Sequence, residues 1–335
     1  MNHQHAHFIM TNVNSIGELL KSFEMYMAKV QWTKQPVELY DPVTYILSIG
    51  GKRLRPITLL YLVDILKGDK LRALDAAYGI ELFHNFSLIH DDIMDASSKR
   101  RSFDTVHVKY GQNEAILSGD LMLIESVSFI QKAQAGDTKI NLMDLFLNTA
   151  REVCEGQSLD MSFEIKLDVS LEQYLEMIRL KTAVLLACCF GLAAKISKRE
   201  DLTNALYSLG IQIGLAFQLE DDWLDFYSET TDFGKIKGGD ILRAKKSALI
   251  LELCEAMNTE VRKEFLEKYV TGNDPAKRLQ EVASLLNQYS IKEKLKQRIT
   301  NYKLKAQSVL DDLYINDEQK NELKLWMQFI LDRRH

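Results

Sequence analysis

Residues 80–95 read Ile80-Glu81-Leu82-Phe83-His84-Asn85-Phe86-Ser87-Leu88-Ile89-His90-Asp91-Asp92-Ile93-Met94-Asp95 and combine an apolar helical pattern with three closing aspartates. A second apolar run, residues 211–225, ends in Asp221-Asp222-Trp223-Leu224-Asp225. On a helix, side chains four residues apart share one face. Each cluster therefore sets carboxylates side by side, which is unfavourable without a neighbouring cation. Ligands that are all oxygens favour Mg²⁺ or Ca²⁺ over zinc or copper.

The rest of the chain shows the same three- and four-residue spacing of apolar side chains, which predicts helices almost throughout. The predicted helices are residues 14–31, 40–49, 53–67, 70–96, 112–134, 139–165, 171–196, 200–228, 241–256, 259–269, 276–289, 292–312 and 317–333. We therefore predict an all-α fold and a single domain over residues 1–335. In this prediction residues 1–12 form a flexible tail, and residues 271–335 are a terminal helical group on the same domain.

The composition of the chain disfavours several classes of function. The chain has 335 residues, is 46% hydrophobic and carries a net charge of −5, which does not favour a nucleic-acid partner. The longest apolar run, residues 183–194, is too short to span a bilayer and predicts a core helix. Four cysteines without metal-site spacing are typical of buried free thiols. We expect a cytoplasmic protein without a transmembrane segment.

Three basic groups accompany the acidic clusters. They are Gly50-Gly51-Lys52-Arg53-Leu54-Arg55-Pro56, then Lys99-Arg100-Arg101, and finally the lysines Lys235, Lys237, Lys245 and Lys246. Any one group alone is ordinarily a solvated surface patch. Together with carboxylates they indicate phosphorylated ligands, because Arg and Lys bind phosphate directly and Mg²⁺ bridges carboxylates to substrate phosphates.

These motifs occur in the order found in trans-isoprenyl diphosphate synthases, also called polyprenyl synthetases, and the chain resembles that family from Gly50 to about Ser247. Further matches are Lys181-Thr182, Phe217-Gln218 and Gly234-Lys235. Ser102 departs from the family, which usually has glycine after the arginine pair. The resemblance implies a bundle of long antiparallel helices around a central apolar cavity.

The resemblance also implies a reaction. Three Mg²⁺ ions, for which Mn²⁺ could substitute, would assist the departure of diphosphate from dimethylallyl, geranyl or farnesyl diphosphate. The double bond of isopentenyl diphosphate would attack the resulting cation, and a proton would be lost with the departing diphosphate as base. The product would be a short all-trans prenyl diphosphate.

The resemblance implies a role for each residue of this chain that matches a family motif. The implied catalytic set is Asp91, Asp92, Asp95, Arg100, Lys181, Thr182, Gln218, Asp221, Lys235 and Lys245. The implied metal ligands are Asp91, Asp95 and Asp221, supported by Asp222 and Asp225. The implied contacts to isopentenyl diphosphate are Lys52, Arg55, His84 and Arg101.

His84 has two interpretations. A lone histidine on an apolar helix is usually a core residue, but His84 precedes Asp91 by seven residues, or about two turns, and so shares its face. We expect it to contact ligand.

Product length is expected to depend on side chains one to two turns before Asp91. Phe83, Phe86 and Ser87 are the predicted floor of the apolar cleft. In the family, bulky side chains at such positions stop elongation early, so we expect a C20 product first and C15 second. Ordinary core packing of both phenylalanines is the alternative.

Two rival functions share the predicted architecture. A class I terpene cyclase handles one diphosphate and usually lacks the second aspartate cluster. A non-catalytic subunit of a heteromeric synthase would be expected to lose aspartates, and this chain keeps them. Family members are usually homodimers, for which residues 112–134 are either the interface or an ordinary core helix.

Overall fold

The structure, a computed structural model, describes residues 3–137, 140–228 and 237–332, with side chains from residue 16 onward. Within these ranges the chain is almost wholly helical, which confirms the all-α prediction. The helices are α1 His3–Lys29, α2 Val37–Ser48, α3 Leu54–Ile65, α4 Lys70–Met94, α5 Val106–Tyr110, α6 Gln112–Gln134, α7 Met143–Ile165, α8 Leu171–Ile178, α9 Val184–Ile196, α10 Thr203–Tyr227, α11 Gly239–Leu242, α12 Ala248–Glu255, α13 Thr259–Thr271, α14 Pro275–Gln288, α15 Ile291–Asp312 and α16 Asp317–Leu331. The backbone of residues 3–12 is helical, and the flexibility of this segment stays a prediction.

Local sequence explains where several helices begin. The Asp69 carboxylate accepts the first backbone amides of α4, and Ser170 and Gln173 form a reciprocal capping box at the start of α8. Asp274 caps α14, where Pro275 occupies the first turn and has no amide to leave unpaired. These caps fix the helix starts that the periodicity placed only approximately.

The structure differs from the predicted elements in several places, among them the short helix α5, which was not predicted. Residues 241–256, predicted as one helix, form α11 and α12 with a turn between them. Ala244 has a left-handed φ of 56°, and the Lys245 amide bonds back to the Asp240 carbonyl, so the chain turns there. Residues 99–104 form a small hairpin, β1 Lys99–Arg100 paired with β2 Phe103–Asp104, where no strand was predicted.

The contacts divide the chain into two compact units. Unit 1 comprises Met1–Asn148, Cys188–Tyr207 and Tyr314–Leu323, and unit 2 comprises Thr149–Ala187, Ser208–Leu313 and Lys324–His335. In unit 1, α4 packs along α6 and α3. In unit 2, α12 packs against α8 and α15. The single domain over residues 1–335 stays a prediction.

One helical stretch, Leu171–Ile196, is long and apolar enough by composition to cross a membrane. It consists of α8, a five-residue π-helical turn at Arg179–Ala183, and α9. Since 83% of its most apolar window is buried inside the protein, it is a core helix, as predicted for residues 183–194.

Candidate functional site

The first aspartate cluster lies at the carboxyl end of α4 in unit 1. Asp92 is buried, whereas Asp91 is partly exposed and Asp95 is exposed. Arg100 grips Asp92 with both ends of its guanidinium: Nε is 2.8 Å from Oδ2, and Nη2 is 2.8 Å from Oδ1. Burial raises the pKa of Asp92, and Arg100 opposes that shift by stabilising the charged form. Asp92 therefore fixes Arg100 in place, with one Asp91 oxygen 3.8 Å from the same guanidinium, and Asp95 is the exposed carboxylate of the cluster.

The hairpin presents Arg100 and Arg101 beside this cluster. Its turn is formed by Arg101 and Ser102, both with positive φ, at 51° and 70°. Arg101 packs directly over Gly51, where a Cβ atom would lie 2.3 Å from a guanidinium nitrogen. Gly51 also has a φ of 145°, a backbone conformation that favours glycine whatever the position of the Arg101 side chain.

Arg55 and His84 meet next to these residues. The Arg55 Nη1 lies 3.2 Å from the His84 Nε2, and since arginine can only donate, the histidine nitrogen accepts. Burial, followed by the charge of Arg55, lowers the pKa of His84 well below its usual value. The Nε of Arg55 is buried and has no hydrogen-bond partner in the described part of the chain. His84 is therefore neutral, and Arg55 keeps a donor for an acceptor such as a phosphate oxygen.

Arg53 and Glu81 are neighbours of this pair that the sequence analysis missed. The side chain of Arg53 is buried, donates to Glu81 and to the Leu47 carbonyl, and forms a buried ion pair with Glu81. The Asn85 amide donates to the same Glu81 oxygen at 2.9 Å. The signal available in the sequence was a glutamate inside an otherwise apolar run. We call Arg53, Arg55, His84 and Arg101 the basic cluster.

The second aspartate cluster lies at the carboxyl end of α10 in unit 2. Asp222 is buried and accepts from the Tyr174 hydroxyl at 2.5 Å, the Ala248 amide at 2.9 Å and the Gln218 amide at 3.2 Å. Burial raises its pKa to about 7. Both oxygens are engaged with protein groups, so the geometry does not favour the predicted metal contact of Asp222.

Asp221 and Asp225 differ from Asp222 in being only partly buried. One Asp225 oxygen accepts the Asp240 backbone amide at 3.1 Å, which ties the end of α10 to the start of α11. The two flanking aspartates remain the carboxylates of this cluster that suit metal binding.

Lys181 and Thr182 lie in the π-helical turn, a feature often found at functional sites and not predicted here. Lys181 Nζ is 2.6 Å from Asp160 Oδ2, and the Thr182 hydroxyl is 3.4 Å from Gln218 Oε1. Gly156 of α7 and Gly214 of α10 press on this turn, since Cβ atoms there would lie 2.3 Å and 2.6 Å from its backbone. The two glycines let neighbouring helices hold the widened turn.

The lysines of the third basic group, which follows the second aspartate cluster, lie in different environments. Lys246 Nζ donates to the Phe163 carbonyl at 2.8 Å and caps the end of α7, so it is structural. Lys245 lies in the turn before α12, partly exposed. Lys237 is exposed, and Lys235 lies outside the described residues.

Two of the three predicted floor residues, Phe83 and Phe86, form part of an aromatic group in unit 1. Phe83 is fully buried, and its ring centroid lies 5.4 Å from those of Phe86 and Phe146. Phe86 also packs against His90 at 4.8 Å, while Ser87 donates to the His84 carbonyl. Phe83 therefore joins α4 to α7, and Phe86 lies beside it toward His90.

The flanking aspartates of the two clusters fit a hard divalent ion chemically, because all their donor atoms are oxygens. No three His, Cys, Asp or Glu side chains within the described ranges form a ready metal cage. Mg²⁺ is commonly held by one or two carboxylates together with substrate phosphates, so these residues fit an ion that arrives with a diphosphate.

Comparisons with known proteins agree with this chemistry. The family model "Polyprenyl synthetase" matches residues 36–287. The geranylgeranyl diphosphate synthase of Saccharolobus solfataricus is 35% identical over 96% of both chains. The geranylfarnesyl diphosphate synthase of Natronomonas pharaonis is 38% identical over 65% of this chain and 69% of that one. A crystal structure of a geranylgeranyl pyrophosphate synthase superposes with a TM-score of 0.87 at 37% identity, covering 96% of this chain and 99% of that one.

Proposed function

We propose, from the premise that this chain belongs to the polyprenyl synthetase family, that it condenses isopentenyl diphosphate with an allylic diphosphate to give a C20 prenyl diphosphate. Its class is that of a trans-prenyltransferase acting on isoprenyl diphosphates, as in the relatives at about one-third identity over nearly the whole chain. The observation that supports the proposal best is that each aspartate cluster ends an apolar helix and has a positioned cation in its own unit, Arg100 in one and Lys181 in the other.

The two clusters have distinct proposed duties. Asp91 and Asp95 would hold two divalent ions and Asp221 a third, with Asp225 in support, and bound Mg²⁺ or Mn²⁺ would supply Lewis-acid stabilisation of the leaving diphosphate. Asp92 holds Arg100, and Asp222 holds Gln218, each from a buried position. In this proposal the more exposed aspartates bind the ions, and the buried Asp92 and Asp222 position neighbouring side chains.

The allylic diphosphate would be bound by Arg100, Lys181, Lys235 and Lys245. The Thr182 hydroxyl donates a hydrogen bond to Gln218 Oε1, which leaves the lone pairs of its oxygen available. As the carbon–oxygen bond of the allylic diphosphate breaks, this oxygen would face the developing cation. A carbon–carbon bond then forms with isopentenyl diphosphate, and the proton lost from that substrate passes to the departed diphosphate. No protein general base is required.

Isopentenyl diphosphate would be held without metal by Lys52, Arg55, His84 and Arg101. The buried Arg55 Nε without a described partner supports this assignment, since a diphosphate oxygen would satisfy it. His84 stays neutral beside these arginines, so it adds a hydrogen bond without adding charge.

The product is proposed to be C20, made from dimethylallyl, geranyl or farnesyl primers. The two relatives described above are named geranylgeranyl and geranylfarnesyl diphosphate synthases, which favours products of C20 or longer over the C15 alternative. The buried Phe83 and its neighbours Phe86 and Ser87 are the proposed floor.

We also propose a cytoplasmic homodimer. The exposed face of α6 carries Ile116, Leu117 and Ile124, of which Ile124 is 63% exposed, while Met122 of the same helix is fully buried. This face supports the interface alternative for residues 112–134. Light scattering of the protein and of Leu117→Glu tests it, and a wild-type protein that stays monomeric at micromolar concentration would remove the proposal. The free cysteines support a reducing compartment, which cell fractionation tests.

A metal-omission assay tests the reaction. Labelled allylic diphosphate is incubated with and without isopentenyl diphosphate, in Mg²⁺, Mn²⁺ or EDTA. The proposal requires elongation only when both substrates and a divalent ion are present. A terpene cyclase would consume the allylic diphosphate alone, and a non-catalytic subunit would consume neither.

A further inference from the structure

Glu81 is a buried carboxylate next to the basic cluster, with 3% of its surface exposed. It pairs with Arg53, which is itself buried, and its position is fixed by Asn85, whose side-chain amide donates to both the carboxylate and the Glu81 carbonyl. The ion pair and the hydrogen bonds together fix the position of this carboxylate beside the arginines.

The basic cluster has more positive charge than its own ion pairs neutralise. Arg53 and Arg101 lie close enough for the charge of Arg53 to lower the pKa of Arg101, after the larger effect of burial. Glu81 acts in the opposite direction on both Arg55 and Arg101. The neighbouring Arg100 has its own counter-charge in Asp92, so Glu81 serves the other three guanidinium groups.

We propose that Glu81 is a positioning residue for the second substrate, the internal counter-charge that keeps the three arginines of the basic cluster assembled before a diphosphate binds. The inference rests on the proposed binding of isopentenyl diphosphate at this cluster. Glu81 and the diphosphate are then alternative partners for the same positive charge, so the free energies of the two interactions are coupled.

The direction of this coupling between Glu81 and the diphosphate can be predicted. Without Glu81 the arginines repel one another in the empty protein, and a bound diphosphate relieves that repulsion. The ligand should therefore stabilise a Glu81→Gln variant more than it stabilises the wild type. A carboxylate that only braced the fold would lose the same stability with or without ligand.

The experiment measures thermal unfolding of the wild type and of Glu81→Gln in EDTA, with and without saturating inorganic diphosphate. We expect the Tm deficit of the variant to shrink by about half or more when diphosphate is present. The control is Glu252→Gln, which removes another buried glutamate charge, here paired with the partly exposed Arg298 in unit 2, and whose deficit should not change. A Glu81→Gln deficit that is unchanged or larger with diphosphate overturns the proposal.

A second variant keeps the test usable if Glu81→Gln folds poorly. The pair Arg53→Gln with Glu81→Gln removes one charge of each sign, so its diphosphate-induced shift should return to about that of the wild type. A double variant that keeps the enlarged shift contradicts the counter-charge role. If diphosphate shifts neither the wild type nor any variant, the proposed binding of diphosphate at the basic cluster has failed, a result distinct from equal shifts in wild type and variant.

Steady-state kinetics give an independent readout. Because Glu81 repels the diphosphate, Glu81→Gln should lower KM for isopentenyl diphosphate and leave KM for the allylic diphosphate unchanged. A raised KM for isopentenyl diphosphate would show that Glu81 only shapes the site, and would also overturn the proposal.

Discussion

Arg100 and Asp92 form a two-pronged ion pair in unit 1, with Nε and Nη2 each 2.8 Å from a different carboxylate oxygen. Fork-to-fork geometry of this kind fixes the plane of the guanidinium as well as its position. The middle aspartate of the first cluster is therefore an anchor for a cation, and the two flanking aspartates are more exposed than it is.

Asp92 and Asp95 should respond differently to the same substitution. Asp92→Asn removes the buried carboxylate charge that holds Arg100, which should cost about 3 kcal/mol of unfolding free energy and lower turnover about 100-fold. Asp95→Asn, at an exposed position, should lower turnover by a similar factor with less than about 0.5 kcal/mol of lost stability. Urea unfolding and initial rates measure both. Equal stability of the two variants would refute the anchor role.

Ser102 is strained where the family usually has glycine. Its φ of 70° follows the 51° of Arg101, and a two-residue hairpin turn with two positive φ angles favours glycine. Ser102→Gly should therefore stabilise the protein by about 1 kcal/mol in urea unfolding. The control is Ser98→Gly at a residue outside the left-handed region, which should be neutral or destabilising. A destabilised Ser102→Gly protein would contradict the strain.

His84 should make the protein sensitive to acid. Its folded-state pKa lies well below 6.5, so the unfolded chain takes up a proton near pH 6.5 while the folded chain does not. Stability from this group is present above pH 6.5 and is lost as the pH falls, at up to about 1.4 kcal/mol per pH unit. Replacing it in His84→Gln should flatten the fall between pH 6.5 and about 5, measured by urea unfolding. Parallel pH profiles for the two proteins would exclude a neutral buried His84.

Most of the helices could be predicted from the sequence. The position of each aspartate cluster at the carboxyl end of its helix could also be predicted. Helical periodicity and four-residue spacing are local properties, so Asp91 and Asp95 could be placed without a structure. The inward orientation of Asp92 and Asp222 could not be predicted, because it depends on Arg100 and Tyr174, partners distant in the sequence.

Backbone irregularities were also beyond the sequence. The π-helical turn at Arg179–Ala183 depends on close approach by helices bearing Gly156 and Gly214, and no local signal distinguishes it from α-helix. The break at Ala244 was missed because its residues favour helix until tertiary contacts intervene. The ion pair of Arg53 with Glu81 joins two motifs that the sequence showed only separately.

Truncating the proposed floor should lengthen the product. Phe83→Ala or Phe86→Ala removes a ring from the aromatic group that lies before Asp91, and the opened volume should admit at least one more five-carbon unit. Phe129→Ala, which removes a ring packed on Tyr78, is the matched control and should leave the product unchanged. Chromatography of dephosphorylated products measures the lengths. Unchanged profiles for both floor variants would show that these phenylalanines are ordinary core.

The most direct test is the identity of the product made from labelled farnesyl diphosphate, unlabelled isopentenyl diphosphate and Mg²⁺. We expect labelled geranylgeranyl diphosphate, formed with release of one diphosphate per condensation and abolished by EDTA. Recovery of unchanged farnesyl diphosphate, or its loss without any longer prenyl diphosphate, would contradict it.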